Sequence, residues 1–267
     1  MPPNLTHLPV LGNEAYHQLP AVSPSGLKLL ARSPLHYYDQ RLAPDREISP
    51  PSDAMKVGTA LHLAVLEPDA FAKQVTVAPT VDRRTSKGKE AYAAFLEDSA
   101  GKVVISRDDA DRVACMARAV RNHPAAGFLL NIPGKTEQSY TWTERGIACK
   151  CRPDWHSDDN SIVVDIKTTQ NASRREFQRS ISNFDYHLQA AWNRRAFGAD
   201  QFLIVAVESV RPYAVAVYPA SGSMLAAGER RIEAALDLLA QCQQTGQWPG
   251  YGDLIADPID LPTWCND

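Results

Sequence analysis

Hydrophobic and polar positions follow two periods along this chain, and each change of period marks a predicted element. Ser23-Pro24-Ser25 and Ser33-Pro34 each read as a helix N-cap followed by proline at the first helical position, starting the short helices GLKLLAR and LHYYDQRL. In DAMKVGTALHLAVLEP, Val57, Ala60, Leu61, Ala64 and Val65 recur at helical spacing up to Pro68, which predicts a helix. A short strand at 74–77 and a polar loop follow, then helical patterns over 86–99 and 107–121. From Glu137 the period drops to two. EQSYTWT, IACKCRPDW and SIVVDIKTT read as strands of an antiparallel meander, separated by the turn compositions Glu144-Arg145-Gly146 and HSDDN. Residues 173–197 return to helix, 201–208 and 213–218 to strand, and 221–242 to one long helix; the tail WPGYGDLIADPIDLPTW packs back irregularly.

No repeat, low-complexity tract or linker breaks this order, so one α/β domain over residues 1–267 is expected, with an N-terminal extension (1–22) and an irregular tail (243–267). A chain of 267 residues with 44% apolar content has enough material for one large core. The start MPPNLTHLPVLG lacks the charged and apolar blocks of a secretory signal, and no segment has the run of about 18 apolar residues that a membrane span needs. A cytoplasmic protein is the expectation.

Five cysteines, an odd number in a chain of this length, do not suggest a disulfide framework, and Cys149 and Cys151 lack a second pair at matching distance for a zinc or iron–sulfur site. The net charge of −3 excludes the overall basicity of many nucleic-acid binders. Basic residues nevertheless cluster locally, at Arg83-Arg84 with Lys87 and Lys89, at Arg174-Arg175 with Arg179, and at Arg194-Arg195. Such runs are ordinarily solvated faces unless they rim a site with its own reason to meet phosphate.

The stretch CRPDWHSDDNSIVVDIKTT supplies such a reason. In a strand, Asp165 and Lys167 share a face with Val163, while Val164 and Ile166 point the other way. With an even loop at HSDDN, Asp154 pairs with Val163 or with Asp165 and joins that face, with β-carbons about 5 to 8 Å apart. The same parity one strand earlier sets Glu137 opposite Arg152 or Asp154. Three carboxylates converging beside a lysine raise one another's pKa unless a divalent cation neutralises them, and oxygen ligands favour Mg²⁺ or Mn²⁺. Without that convergence, Asp154 and Asp165 are surface acids on the wet face of a meander, with Lys167 as an ion-pair partner.

Pro153-Asp154, followed after ten residues by Asp165-Ile166-Lys167, resembles the motif of the PD-(D/E)XK nuclease superfamily. Gly58 to His62 (GTALH) resembles the GxxxH helix of its RecB-like branch, and Gln189 in YHLQAAWN resembles that branch's QxxxY helix, with Asn193 where the tyrosine is expected. SPSGLKLLARSPLHYY and PGYGDLIADPIDLPTW are similar to segments of RecE-type exonucleases, relatives of lambda exonuclease. The resemblance implies a restriction-endonuclease-like core, a central mixed sheet with an antiparallel meander flanked by helices. It implies two Mg²⁺ or Mn²⁺ ions held by Asp154, Asp165, the Ile166 carbonyl, His62 and Glu137, with Lys167 orienting or activating water. Ser25, Lys28, Arg32 and Gln189 become candidate DNA contacts, Ser25 because a helix start seats a phosphate.

The implied activity is a processive 5′-to-3′ exonuclease on double-stranded DNA ends. It would leave 3′ single strands for an annealing protein in phage or prophage recombination, and a ring-shaped homo-oligomer, trimer or tetramer, would thread the duplex. Alternatives are a structure-specific or restriction endonuclease on the same core, and a DNA-binding subunit without turnover.

Overall fold

Capping chemistry sets most of the helix starts in the computed structural model, which describes residues 3–9, 11–47, 49–252 and 258–259. The chain enters through β1 (Thr6–His7) and α1 (Asn13–Gln18). Ser23 then caps α2 (Pro24–Arg32) by accepting from the Gly26 N–H, and Ser33 caps α3 (Pro34–Tyr37) through the His36 N–H. Each has proline at its first position, where a missing N–H costs nothing. The second expected helix is shorter than its sequence suggests, because Tyr38–Leu42 continue it as a π turn.

Ser52 caps α4 (Asp53–Leu66), which buries Val57, Ala60, Leu61 and Val65 as its apolar spacing dictates. Between that helix and the expected strand stands a further helix the sequence pattern did not predict, α5 (Pro68–Gln74), followed by β2 (Val75–Val77). Next come α6 (Ser86–Asp98), β3 (Val103–Ile105), α7 (Arg107–Asn122) and α8 (Pro124–Asn131); β2 and β3 pair in parallel.

The expected three-stranded meander is broken into more pieces. Its strands are β4 (Gly134–Thr136), β5 (Tyr140–Glu144), β6 (Ile147–Cys151), β7 (Trp155–Ser157) and β8 (Ile162–Thr169). β5 pairs with β6 on one side and with β1 on the other, whereas β4 and β7 join the main sheet. Thr136 stands opposite Trp155 and Tyr140 opposite Cys151, so both ladders keep one register across the interruption. Two residues make the break. Pro153 has no N–H to give a ladder, and Glu137 adopts a left-handed backbone with φ 49°.

Residues 173–197 form two helices, α9 (Arg174–Asn183) and α10 (Tyr186–Phe197), not one; Asp185 between them is left-handed with φ 53°. β9 (Gln201–Glu208), β10 (Val215–Pro219) and α11 (Gly222–Thr245) complete the order. The main sheet runs β10-β9-β8-β7-β4, with β8 and β9 parallel and the other neighbours antiparallel. This is a mixed sheet in an α/β fold.

Alternation along β9 shows how the layers form. Phe202, Ile204 and Ala206 pack on one face with Leu27, Leu188, Trp192 and Leu236, from α2, α10 and α11. Leu203, Val205 and Val207 pack on the other face with Leu61, Met116 and Leu129, from α4, α7 and α8. Helices therefore cover both faces, which is why β8 and β9 read as near-continuous apolar runs. Gly246 to Gly252 follow α11 without regular structure, and the tail segments 253–257 and 260–267 lie outside the described residues.

Candidate metal centre

The break in the sheet leaves backbone groups to be satisfied. Trp155 opposes Val164, so the same register sets Pro153 across from Ile166. Proline has no N–H for the Ile166 carbonyl. Side chains take over: the Ile166 N–H donates to Asp154 Oδ2 at 2.6 Å, and the Ile166 carbonyl accepts from His62 Nε2 at 3.0 Å. The loop from Asp158 to Ser161 fixes this register, because Asp159 accepts from Ser157 Oγ, Ser161 N and Ser161 Oγ. These bonds hold its carboxyl down to about 2.

His62, Glu137 and Asp154 converge at the gap. Their ligand atoms lie within 4.8 Å of one another, with His62 Nδ1 3.5 Å from Glu137 Oε1 and 3.6 Å from Asp154 Oδ1. Donors about 2.1 Å from one ion stand at most about 4.2 Å apart, so both distances suit a shared hard cation. The His62 tautomer agrees: Nε2–H is committed to the Ile166 carbonyl, which leaves Nδ1 facing the acids. Burial would lower the His62 pKa, but the Asp154 and Glu137 carboxylates outweigh it and raise the pKa to about 9. Burial raises Asp154 against the pull of His62 and Lys167. Beyond its own stretch of helix, nothing lies within 4 Å of where a Gly58 side chain would begin, so packing does not dictate the glycine one turn before His62.

The other half of the site is built on β8, on the face that α10 covers. Asp165 is 2% exposed, and burial raises its pKa. Its Oδ2 lies 2.5 Å from Lys167 Nζ, while Oδ1 accepts from Gln189 Nε2 of α10 at 2.7 Å. Asp165 is therefore not in the trio whose ligand atoms cluster most tightly; Lys167 and Gln189 already occupy its oxygens. Burial would lower the Lys167 pKa, but Asp165 and Asp154 more than reverse it, so the ammonium stays charged. Its Nζ also lies 5.2 Å from the Tyr186 ring centroid.

An imidazole and two acids meet in a gap between strands, beside a buried acid–lysine pair. A model of the family described as "PDDEXK-like domain of unknown function (DUF3799)" matches residues 23–257. The chain belongs to this PDDEXK-like family. Similar folds exist among solved structures. The protein from Eubacterium rectale named "Putative exonuclease" superposes with a TM-score of 0.62 at 17% identity, covering 95% of this chain and 97% of the other. A "phage related exonuclease" from Haemophilus somnus matches at 15% identity over 85% of this chain and 96% of its own, with a TM-score of 0.37. At these identities the first likeness shows the fold alone, and the second is too loose to argue from. No curated protein matches the chain.

Within the PDDEXK-like fold, the remaining sequence candidates fall at different distances from the centre. Lys28 of α2 is close: its Nζ donates to the Phe184 carbonyl at 2.7 Å and lies 5.5 Å from the Tyr186 ring. Burial, reinforced by Lys167, lowers its pKa to about 8. Ser25 sits at the α2 start, bonded to Ser23 Oγ and to the Arg41 guanidinium. Arg32 is turned away, donating to the Tyr251 hydroxyl at 3.0 Å. Gln189, a candidate DNA contact, instead bonds Asp165. Asn193, standing where the branch's tyrosine is expected, is 2% exposed and points into the core. Arg195 is taken up by Glu144, Glu229 and Glu233.

Two neighbours escaped the sequence reading. Tyr186 lies under both lysines, and its position three residues before Gln189, on the same helical face, was the available signal. Arg152 ties the N-terminal segment to the rim, donating to Ser139 Oγ, Asn13 Oδ1 and the Leu11 carbonyl and lying 4.2 Å from the Tyr16 ring. No periodicity marks it. Among the described residues, no helix is long and apolar enough to cross a membrane.

Proposed function

We propose that this chain is a divalent-metal-dependent deoxyribonuclease that degrades double-stranded DNA from its ends. The convergence of His62, Glu137 and Asp154 beside the Asp165–Lys167 pair carries the reading. A site for one cation thus adjoins an ammonium that suits a phosphate.

In this reading His62 Nδ1, Glu137 and Asp154 hold the first ion, while Asp165 and the Ile166 carbonyl extend the oxygen set toward a second. Magnesium or manganese bound there supplies Lewis acidity to the phosphate oxygens and to water. The chain's own groups do the rest. Lys167 donates to the scissile phosphate or orients the attacking water, Gln189 fixes the Asp165 rotamer, and the Ile166 amide fixes Asp154. Buried, hydrogen-bonded donors of this kind stabilise developing charge without reorganising. Ser25 and Lys28 flank the same end of α2, where a terminal phosphate finds N–H groups and an ammonium.

The exonuclease name carried by the Eubacterium rectale structure and the RecE-like segments of the sequence support action at ends. The finer reading is 5′-to-3′ polarity, processive release of nucleotides, a 3′ strand handed to an annealing protein, and a ring of three or four copies in a phage-encoded system. The whole chain would act as one catalytic domain in the host cytoplasm.

The test is an end-labelled linear duplex set beside a covalently closed circle, each with Mg²⁺ or Mn²⁺. Wild type should release nucleotides from the linear DNA and leave the circle intact, while Lys167→Ala and Asp165→Ala bind the linear DNA and scarcely cut it. Cutting of the circle would favour an endonuclease, and binding without cutting by wild type would favour an inactive subunit. Normal cutting by Lys167→Ala would overturn the assignment of the lysine.

A further inference from the structure

An aromatic column runs from the core to the surface beside the metal centre. Tyr218 stacks on buried Phe177 with centroids 5.5 Å apart, Phe177 lies 6.2 Å from Tyr186, and Tyr186 stacks on Phe184 at 5.6 Å with the rings 28° apart. The last ring is different from the others. Phe184 is 58% exposed, a large apolar surface for a residue that ends a stack.

The corner carrying Phe184 is braced on both sides. Lys28 donates to the Phe184 carbonyl at 2.7 Å, and Arg231 pairs with the carboxylate of left-handed Asp185 next to it. A non-glycine residue at positive φ persists only where its surroundings hold it. The ring is thus presented from a fixed backbone.

Charge surrounds the column. Both Lys28 Nζ and Lys167 Nζ lie against the Tyr186 ring, at 5.5 and 5.2 Å. Among the described residues Lys167 is paired with Asp165, whereas Lys28 has no carboxylate within ion-pair distance. An exposed ring stacked on Tyr186, beside an ammonium that has no ion-pair partner among the described residues, matches a ligand with one planar apolar face and one negative charge. A nucleotide has both.

We propose that Phe184 stacks on a nucleobase of the strand end whose phosphate backbone meets Lys28 and Lys167, extending the aromatic column by one ring. Phe184 is then a positioning residue that sets how the terminal nucleotide enters the site. This rests on the nuclease reading above and adds the element that grips the base. Because every base has a π-face, the contact is tolerant of sequence.

The experiment is a double-mutant cycle between ring and base. Wild type, Phe184→Ala and Phe184→Trp are each measured by fluorescence anisotropy, in Ca²⁺, on a short duplex with an intact terminal nucleotide and on one whose terminal nucleotide is abasic. Base–aromatic stacking predicts that Phe184→Ala weakens binding of the intact end by about 5-fold to 100-fold, that Phe184→Trp restores it, and that the loss disappears on the abasic end. Steady-state cleavage in Mg²⁺ should show the same dependence in KM. If wild type cleaves and Phe184→Ala matches it on both ends, the stacking assignment fails and the nuclease reading stands. If wild type neither binds nor cleaves either duplex, both fall. A Phe184→Ala protein that handles DNA normally but loses self-association by gel filtration would also overturn the proposal, marking the ring as a protein contact.

Discussion

Asp154 Oδ2 accepts the Ile166 N–H at 2.6 Å, so the acid next to the ladder-breaking Pro153 stands in for a backbone acceptor on the neighbouring strand. One residue ends the ladder and the next repairs it. The carboxylate has two jobs, a backbone acceptor through Oδ2 and a facing group for His62 through Oδ1. Asp154→Asn keeps an acceptor and should leave the melting temperature nearly unchanged. Asp154→Ala strands a buried N–H and should cost about 1–3 kcal/mol. Both should abolish metal-induced thermal stabilisation, which for an intact site is about 2.7 kcal/mol at a hundred-fold excess over Kd. Thermal melts with and without Mn²⁺ decide it; equal stability of Asn and Ala variants would refute the backbone role.

Glu137 holds its carboxylate in place through a left-handed backbone, φ 49°, at the interruption of the ladder. Its N–H still reaches the Asp154 carbonyl at 3.1 Å. An L side chain in this region costs about 1–2 kcal/mol, and glycine costs none of it. Glu137→Gly should therefore melt above Glu137→Ala by about 1 kcal/mol, while both lose activity. Chemical denaturation of the pair measures the difference, and the reverse order would show that the strain is absent.

With its pKa raised to about 9 by Asp154 and Glu137 against the effect of burial, His62 is protonated at neutral pH before a cation binds. A raised pKa contributes stability that is fully present below the unfolded value, about 6.5, and is lost as pH climbs through about 9. Metal-free protein should thus lose stability between those limits, and His62→Gln should flatten the loss. Cation binding to Nδ1 must expel the proton, so metal affinity should rise with pH up to about 9, with close to one proton released. Calorimetry in buffers of different ionisation enthalpy tests this. The nitrogen ligand should also make Mn²⁺ bind more tightly than Mg²⁺.

Gln189 reaches Asp165 from α10, across the face of the sheet opposite α4. Partners that orient a ligating or charged group typically carry 10-fold to 100-fold in activity or metal affinity. Gln189→Ala should lower kcat by that much with little change in the KM for DNA. Gln189→Glu should fall further, since it sets a second carboxylate against Asp165. A change confined to KM would instead make Gln189 a DNA contact.

The family, the mixed α/β architecture and the parity that brings Asp154 to the side of Asp165 were legible in the sequence. Each rests on local rules: alternation along IVVDIKTT, an even loop at HSDDN held by Asp159, and serine–proline caps ahead of α2 and α3. The splitting of the meander was written there only as Pro153, and the break between α9 and α10 was not, because Asp185 adopts its left-handed backbone through a pairing with Arg231 46 residues away. What the tertiary structure alone decided is who meets at the gap. His62 arrives from the helix layer on one face and Gln189 from the layer on the other, and neither carries a local signal of its partner. Short-range periodicity fixes which way a side chain points within its own element; only the packing of layers around an interrupted sheet fixes what it points at.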